Sequence, residues 1–122
     1  MPLIAAGNIL VGVVDQVFDN SATVLLLDDP RVKISGRIKD SRTLISTEGN
    51  LQNRLRLKLV AADDDINEGD IVVTSGLDGL PEALPIAKVI EIGASSGALF
   101  KDVAAQPLFD LSLGSNLFVI IK

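Results

Sequence analysis

The run Asn67-Glu68-Gly69-Asp70-Ile71-Val72-Val73-Thr74-Ser75-Gly76-Leu77-Asp78-Gly79 decides the architecture of this 122-residue chain. Ile71, Val72, Val73 and Thr74 are all β-branched, which suits a pleated and packed strand. Glycine on either side tolerates a left-handed backbone, and Asp70 can bond the local backbone where the strand begins. The stretch reads as turn, buried strand and second turn, with no conventional catalytic group. Gly69, Asp70, Val72, Thr74, Ser75, Gly76 and Gly79 are therefore read as structural.

Outward from this run, short β-rich segments punctuated by Gly, Asn, Asp and Pro recur every ten residues or so, and none sustains a helical period. About nine strands are expected, at residues 9–17, 22–27, 32–38, 43–46, 54–60, 70–74, 86–92, 99–104 and 116–121. Such spacing belongs to an all-β barrel or sandwich of short, mostly antiparallel strands. Gly12 suggests a bulge within the first strand. Asp19-Asn20 signals a hairpin, and Asp28-Asp29-Pro30 ends the second strand because proline has no donor for the ladder. Glu48-Gly49-Asn50 reads as a turn, and Gly93-Ala94-Ser95-Ser96-Gly97 as a hairpin tip.

Arg54-Leu55-Arg56-Leu57-Lys58-Leu59-Val60 is the clearest alternation. It places Leu55, Leu57 and Leu59 on one face and the three cations on the other. The cations are read as the strand's solvent face in preference to a docking stripe for an anion. The acidic break at Asp63-Asp64-Asp65 is the expected boundary between two halves, residues 1–62 and 63–122, with the last strand free to return to the first half.

Composition excludes several functions. The chain is 48% hydrophobic but only 3% aromatic, with four Phe and neither Trp nor Tyr. Its core must be aliphatic. A net charge of −5 removes the counterion-release drive for nucleic-acid binding, and stacking platforms are scarce. Without His or Cys the chain lacks the commonest general base and metal ligand, as well as disulfides and thiol chemistry. The apolar start, residues 3–14, is too short to span a bilayer and has no basic lead, so the chain is expected to be soluble, with any membrane anchor outside it.

Two constellations are weighed for chemistry. Asp63-x-Asp65-x-Asn67 begins like a calcium loop, but Glu68 stands where that loop needs glycine and Thr74 where it needs a bidentate carboxylate. A solvated acidic turn is the preferred reading. Serine chemistry without histidine would need a lysine base, and Ser75 with Lys88 is the pair that would define a small hydrolase or peptidase-like barrel. Neither a metal nor a cofactor is expected.

Gly69-Asp70-Ile71-Val72-Val73-Thr74-Ser75-Gly76-Leu77-Asp78-Gly79 resembles the "GDxVVTSGxxG" hallmark of the bacterial rod-shape-determining MreC family. Ile9-Leu10-Val11-Gly12-Val13-Val14 is similar to the strand that opens that family's globular region. Ala22-Thr23-Val24-Leu25-Leu26-Leu27-Asp28-Asp29-Pro30 resembles its hairpin arm, and Leu84-Pro85-Ile86-Ala87-Lys88-Val89 its "GlpVGxV" segment. Leu80-Pro81-Glu82-Ala83 departs from the family's Phe-Pro-x-Gly turn.

The resemblance implies two small packed β-barrels on the periplasmic face of the inner membrane, tethered by a segment that this sequence does not contain. It implies a non-enzymatic scaffold of the cell-elongation machinery that maintains cell shape. Its implied partners are copies of itself, the elongation-specific penicillin-binding transpeptidase, MreD and MreB. Leu77, Leu80 and Leu84 are the expected partner contacts, as apolar side chains in an exposure-prone loop.

Overall fold

A computed structural model describes residues 2–41, 43–61, 63–93, 99–110 and 118–119. Ten strands follow one another: β1 (Pro2–Ala5), β2 (Ile9–Val17), β3 (Ala22–Leu26), β4 (Lys33–Ile38), β5 (Leu44–Gly49), β6 (Leu55–Lys58), β7 (Ile71–Thr74), β8 (Pro85–Gly93), β9 (Asp102–Pro107) and β10 (Phe118–Val119). Every pairing is antiparallel. One sheet runs β10-β1-β2-β3, and β4-β5-β6-β9-β8-β7 close a barrel.

The all-β antiparallel expectation holds, with one unit a closed barrel and the other an open four-stranded sheet among the described residues. The sheets do not divide at residue 62. β4 bonds β5 on one side and β7 on the other, so strands from both sides of the acidic break close one barrel. The change of sheet falls between β3 and β4, and β10 pairs back with β1 through Leu3↔Val119 and Ile4↔Phe118. The acidic break is instead a crossing from β6 to β7, whose Val60 and Ile66 are buried in the core.

Most strands lie where the alternation places them, and the exceptions have local causes. β1 was not anticipated; it turns into β2 through Gly7 and Asn8, both left-handed at φ 83° and 61°. β5 runs on to Gly49, opposite Leu55, so Glu48 and Gly49 are strand and the turn comes after them. Leu59 leaves the leucine face because its backbone turns left-handed (φ 65°) and its side chain is 61% exposed. β9 starts three residues later than expected, leaving Leu99 and Phe100 exposed ahead of it. Ala94, Ser95, Ser96 and Gly97 of the expected hairpin tip lie outside the described residues.

Bulges explain the breaks in alternation. The β1–β2 register slips between Leu3 and Ile4, leaving Val11 as the extra residue beside Gly12, and Leu10 and Val11 are consequently both buried. The slip between Val72 and Val73 does the same for Ile86 and Ala87 on β8. Ala5, Leu10, Val11 and Leu27 of the first sheet share one core with the barrel's Ile34, Leu55, Val72, Ile86 and Val103. Packing against the barrel buries the apolar face of the open sheet.

Candidate contact surface

The loop after β7 is held by the hallmark residues themselves. Thr74 is fully buried; its Oγ1 donates to the Pro81 carbonyl at 2.6 Å and accepts from the Leu84 amide at 2.8 Å. Its backbone pairs with Leu84 and Ala83 as well, at 2.9 and 3.0 Å. Thr74 thus closes the neck of the loop.

Ser75 ties the loop to β4. Its amide donates to the Ser35 carbonyl at 3.1 Å, and its hydroxyl donates to Ser35 Oγ at 2.7 Å and accepts from the Leu77 amide at 3.2 Å. Asp78 Oδ2 accepts from the Ser35 amide at 2.9 Å. Gly76 and Gly79 take φ of 83° and 86°, a region that costs an L-residue energy. At the other end of β7, Asp70 Oδ2 accepts from the Asn67 amide at 2.9 Å, and Gly69 and Asp70 join β8 through Val89.

This framework holds Leu77 outward, 71% exposed. Leu77 lines a groove of about 630 Å³ with Ser75, Glu82 and, from the β4–β5 hairpin, Arg37, Asp40, Ser41 and Leu44. Arg37 reaches Glu82 at 3.8 Å across it. Leu44 is 52% exposed. Of the three expected contacts, only Leu77 stands free: Leu80 is half-buried against the core and Leu84 lies within it. Leu44 was missed, although alternation along β5 places it on the outer face with Ser46 and Glu48.

The Ser75–Lys88 pair is not assembled. Lys88 is exposed on β8 opposite Ile71, four residues back along the strand from Ser75, roughly 13 Å at the usual rise. The hydroxyl of Ser75 is committed to Ser35 and Leu77. In the acidic crossing, Asp64 Oδ2 accepts from the Ala61 amide at 2.8 Å and Asp65 Oδ1 accepts from Asn67 Nδ2 at 3.3 Å. Among the described residues no three His, Cys, Asp or Glu side chains converge as a metal cage.

The carboxyl of Asp29 is held well into its ionised form by its neighbour Arg31. Hydrogen bonds from the Arg31 side chain and amide lower Asp29 to about 2 from 3.8. The folded value lies below the unfolded one, so the pair's contribution is complete above pH 3.8 and is lost as pH falls through about 2. An NMR titration of the Asp29 carboxyl is expected to show it still ionised at pH 3. A midpoint near 3.8 would mean the Arg31 bonds are absent in solution.

The fold and surface define a class: an all-β module whose polar hallmark residues brace a loop that exposes Leu77. The model of the family "Rod shape-determining protein MreC, barrel core" matches residues 1–121. The chain belongs to the MreC family. It is 35% identical over 102 residues to the cell shape-determining protein MreC of Haemophilus influenzae, covering 81% of this chain and 29% of that protein. The crystal structure of MreC from Pseudomonas aeruginosa superposes with a TM-score of 0.82 at 36% identity, covering 87% of this chain and 69% of that one.

A complex between a penicillin-binding protein, PBP2, and MreC from Helicobacter pylori shares the fold, with a TM-score of 0.76 at 22% identity over 95% of this chain and 73% of that one. A 30% match to sister chromatid cohesion protein 1 of Saccharomyces cerevisiae covers 88% of this chain but 19% of that protein. The family model and the superposed structures favour the bacterial relationship. The chain spans less than a third of the length of these curated relatives.

Proposed function

We propose that this chain is a non-enzymatic scaffold module of the bacterial cell-elongation machinery, maintaining cell shape by self-association and by binding cell-wall synthesis proteins. The observation that carries this reading is the commitment of Thr74, Ser75 and Asp78 to bracing a loop that holds Leu77 in an open apolar groove. Side chains with those partners position a surface; they do not activate a nucleophile. The elongation-specific penicillin-binding transpeptidase is the partner that the Helicobacter pylori complex supports by likeness of fold. MreD and MreB complete the assembly in this reading. The module works on the periplasmic face of the inner membrane. Among the described residues no helix is long and apolar enough to cross a membrane.

Cross-linking in cells with the membrane-anchored parent tests the reading. Capture of the transpeptidase is expected to fall at least tenfold when Leu77→Asp and Leu44→Asp are combined, because an apolar anchor in an interface commonly carries about 1.4 kcal/mol or more. A parent that captures no cell-wall synthesis protein overturns it. Serine-directed labelling abolished by Ser75→Ala would restore the hydrolase alternative.

A further inference from the structure

Among the described residues the open sheet ends on β3, which pairs with β2 on one side and with no strand on the other. The Leu27 amide donates to the Val11 carbonyl at 2.9 Å, and the register of the pair carries that bonding back to Leu25 opposite Val13. Bonding alternates along an antiparallel ladder, so Val24 and Leu26 turn their backbone groups away from β2. The Leu26 carbonyl is taken by the Asp29 amide at 3.0 Å. Val24 keeps its amide and carbonyl, and Leu26 its amide, without a partner among the described residues.

Exposed sheet edges are commonly blunted by a charge, a proline or a bulge in the edge strand. β3 reads Ala22-Thr23-Val24-Leu25-Leu26 and carries none of these. The bulge in this ladder falls between Val14 and Gln16, so its extra residue, Asp15, belongs to β2. The edge is open and straight.

Its surroundings are acidic. Residues 1–30 hold four Asp, at 15, 19, 28 and 29, and no Lys or Arg. Asp15 and Asp19 come just before β3, and Asp28 and Asp29 just after it. Arg31 is engaged by Asp29 at 2.7 Å, whereas Asp15 and Asp19 are exposed and form no ion pair among the described residues. Two copies joined edge to edge would bring two such acidic sets together, and like charges brought face to face oppose association.

We propose that β3 accepts an extended, cationic segment of a partner protein as an added strand of the open sheet. Main-chain bonds to Val24 and Leu26 hold the segment, and its lysines or arginines meet the carboxylates at the two ends of β3. These charges are exposed, so the attraction weakens with salt. The surface belongs to the open sheet and the Leu77 groove to the barrel, so the inference adds a second contact to the proposed scaffold and does not rest on the first.

An NMR titration of the chain with an end-blocked synthetic peptide of alternating lysine and valine tests it. The Val24 and Leu26 amides are expected to shift and to gain exchange protection as the peptide binds. Val24→Pro removes the outer donor at a place where an edge strand tolerates proline, and is expected to weaken binding about tenfold or more. N-methylation of alternate peptide bonds in the ligand is expected to do the same, and it leaves the protein untouched if Val24→Pro does not fold. Asp15→Lys combined with Asp19→Lys is expected to weaken binding and flatten its salt dependence. An unchanged melting temperature verifies each fold. Binding that survives N-methylation, or a folded Val24→Pro chain that binds like the wild type, overturns the added strand. A glutamate-valine peptide that binds as tightly, or an unchanged affinity in the Asp15, Asp19 variant, overturns the cationic partner. Protection of Val24 and Leu26 that rises with protein concentration in the absence of peptide assigns the edge to a second copy and overturns the proposal. Transpeptidase capture by a parent carrying Leu77→Asp and Leu44→Asp reports separately on the scaffold reading.

Discussion

Gly49→Ala lowers the stability of this domain by about 3 kcal/mol or more, a fall of roughly 12 °C in melting temperature for a chain of this size. A Cβ at Gly49 would fall on the Asp29 carbonyl and the Asp28 carbonyl carbon. Both are backbone, so no side-chain rotation relieves the collision. The segment that must move is the one that carries the chain from the first sheet into the barrel. It is held there by the Leu51 amide donating to the Asp28 carbonyl at 2.8 Å and the Asn53 amide donating to Asp28 Oδ2 at 2.9 Å.

Those bonds also restrain an unfavourable backbone. Leu51, Gln52 and Asn53 are all left-handed, at φ 62°, 51° and 59°, a conformation costing about 1–2 kcal/mol for each L-residue. Displacing Asp28 releases the restraint as well as the contact. Gly69→Ala is the control. Nothing lies within 4 Å of its added Cβ, and only its φ of 92° is strained, so it is expected to cost about 1 kcal/mol. Thermal unfolding by circular dichroism compares the two. Equal losses would mean the crossing segment does not press on Gly49.

The difference between these glycines marks where sequence reading runs out. Gly69 and Gly76 announce their turns because positive φ is a local property with a local residue preference. Gly49 looked like the same signal, flanked by Glu48 and Asn50, yet its cause is a backbone 20 residues away in sequence, Asp29. Alternation likewise gave β6 its buried Leu55 and Leu57, and failed at Leu59, where a left-handed turn rotates the next side chain outward. Strand identity is local; strand partnership is not. The acidic break at Asp63 marks a real interruption between strands, but only the pairing of β7 with β4 shows that the interruption lies inside one barrel.

The loop after β7 follows the same division. Leu77, between two glycine turns, was read as an exposure-prone leucine, and it is exposed. Leu84 was misread as exposed because it lies in the loop between Pro81 and Pro85, whereas its amide and carbonyl both bond Thr74 and draw its side chain into the core. Ser75 was recognised as a turn residue, but its partner Ser35 lies 40 positions away. No spacing rule links them.

Thr74→Val isolates the device that holds the loop. Valine fills nearly the same volume, so the change removes the hydroxyl and little else. The Leu84 amide then loses its acceptor and the Pro81 carbonyl its donor, in a place where Thr74 and Leu84 are both buried. A buried group left unpaired costs about 1–3 kcal/mol, so the pair together is expected to cost about 3 kcal/mol, or roughly 12 °C in melting temperature. Thr74→Ser keeps the hydroxyl and loses one methyl, and is expected to cost only about 1 kcal/mol. Amide exchange localises the effect: Leu84 should lose protection about 100-fold in the valine variant, while the Val103 and Ala105 amides of β9 change only by the global loss of stability. If valine and serine variants melt together, the hydroxyl is not what closes the neck, and the placement of Leu77 must rest on Ser75 and Asp78 alone. A valine variant that stays folded below its transition but loses transpeptidase capture would show that the loop's position, and not merely the presence of Leu77, is what the partner reads.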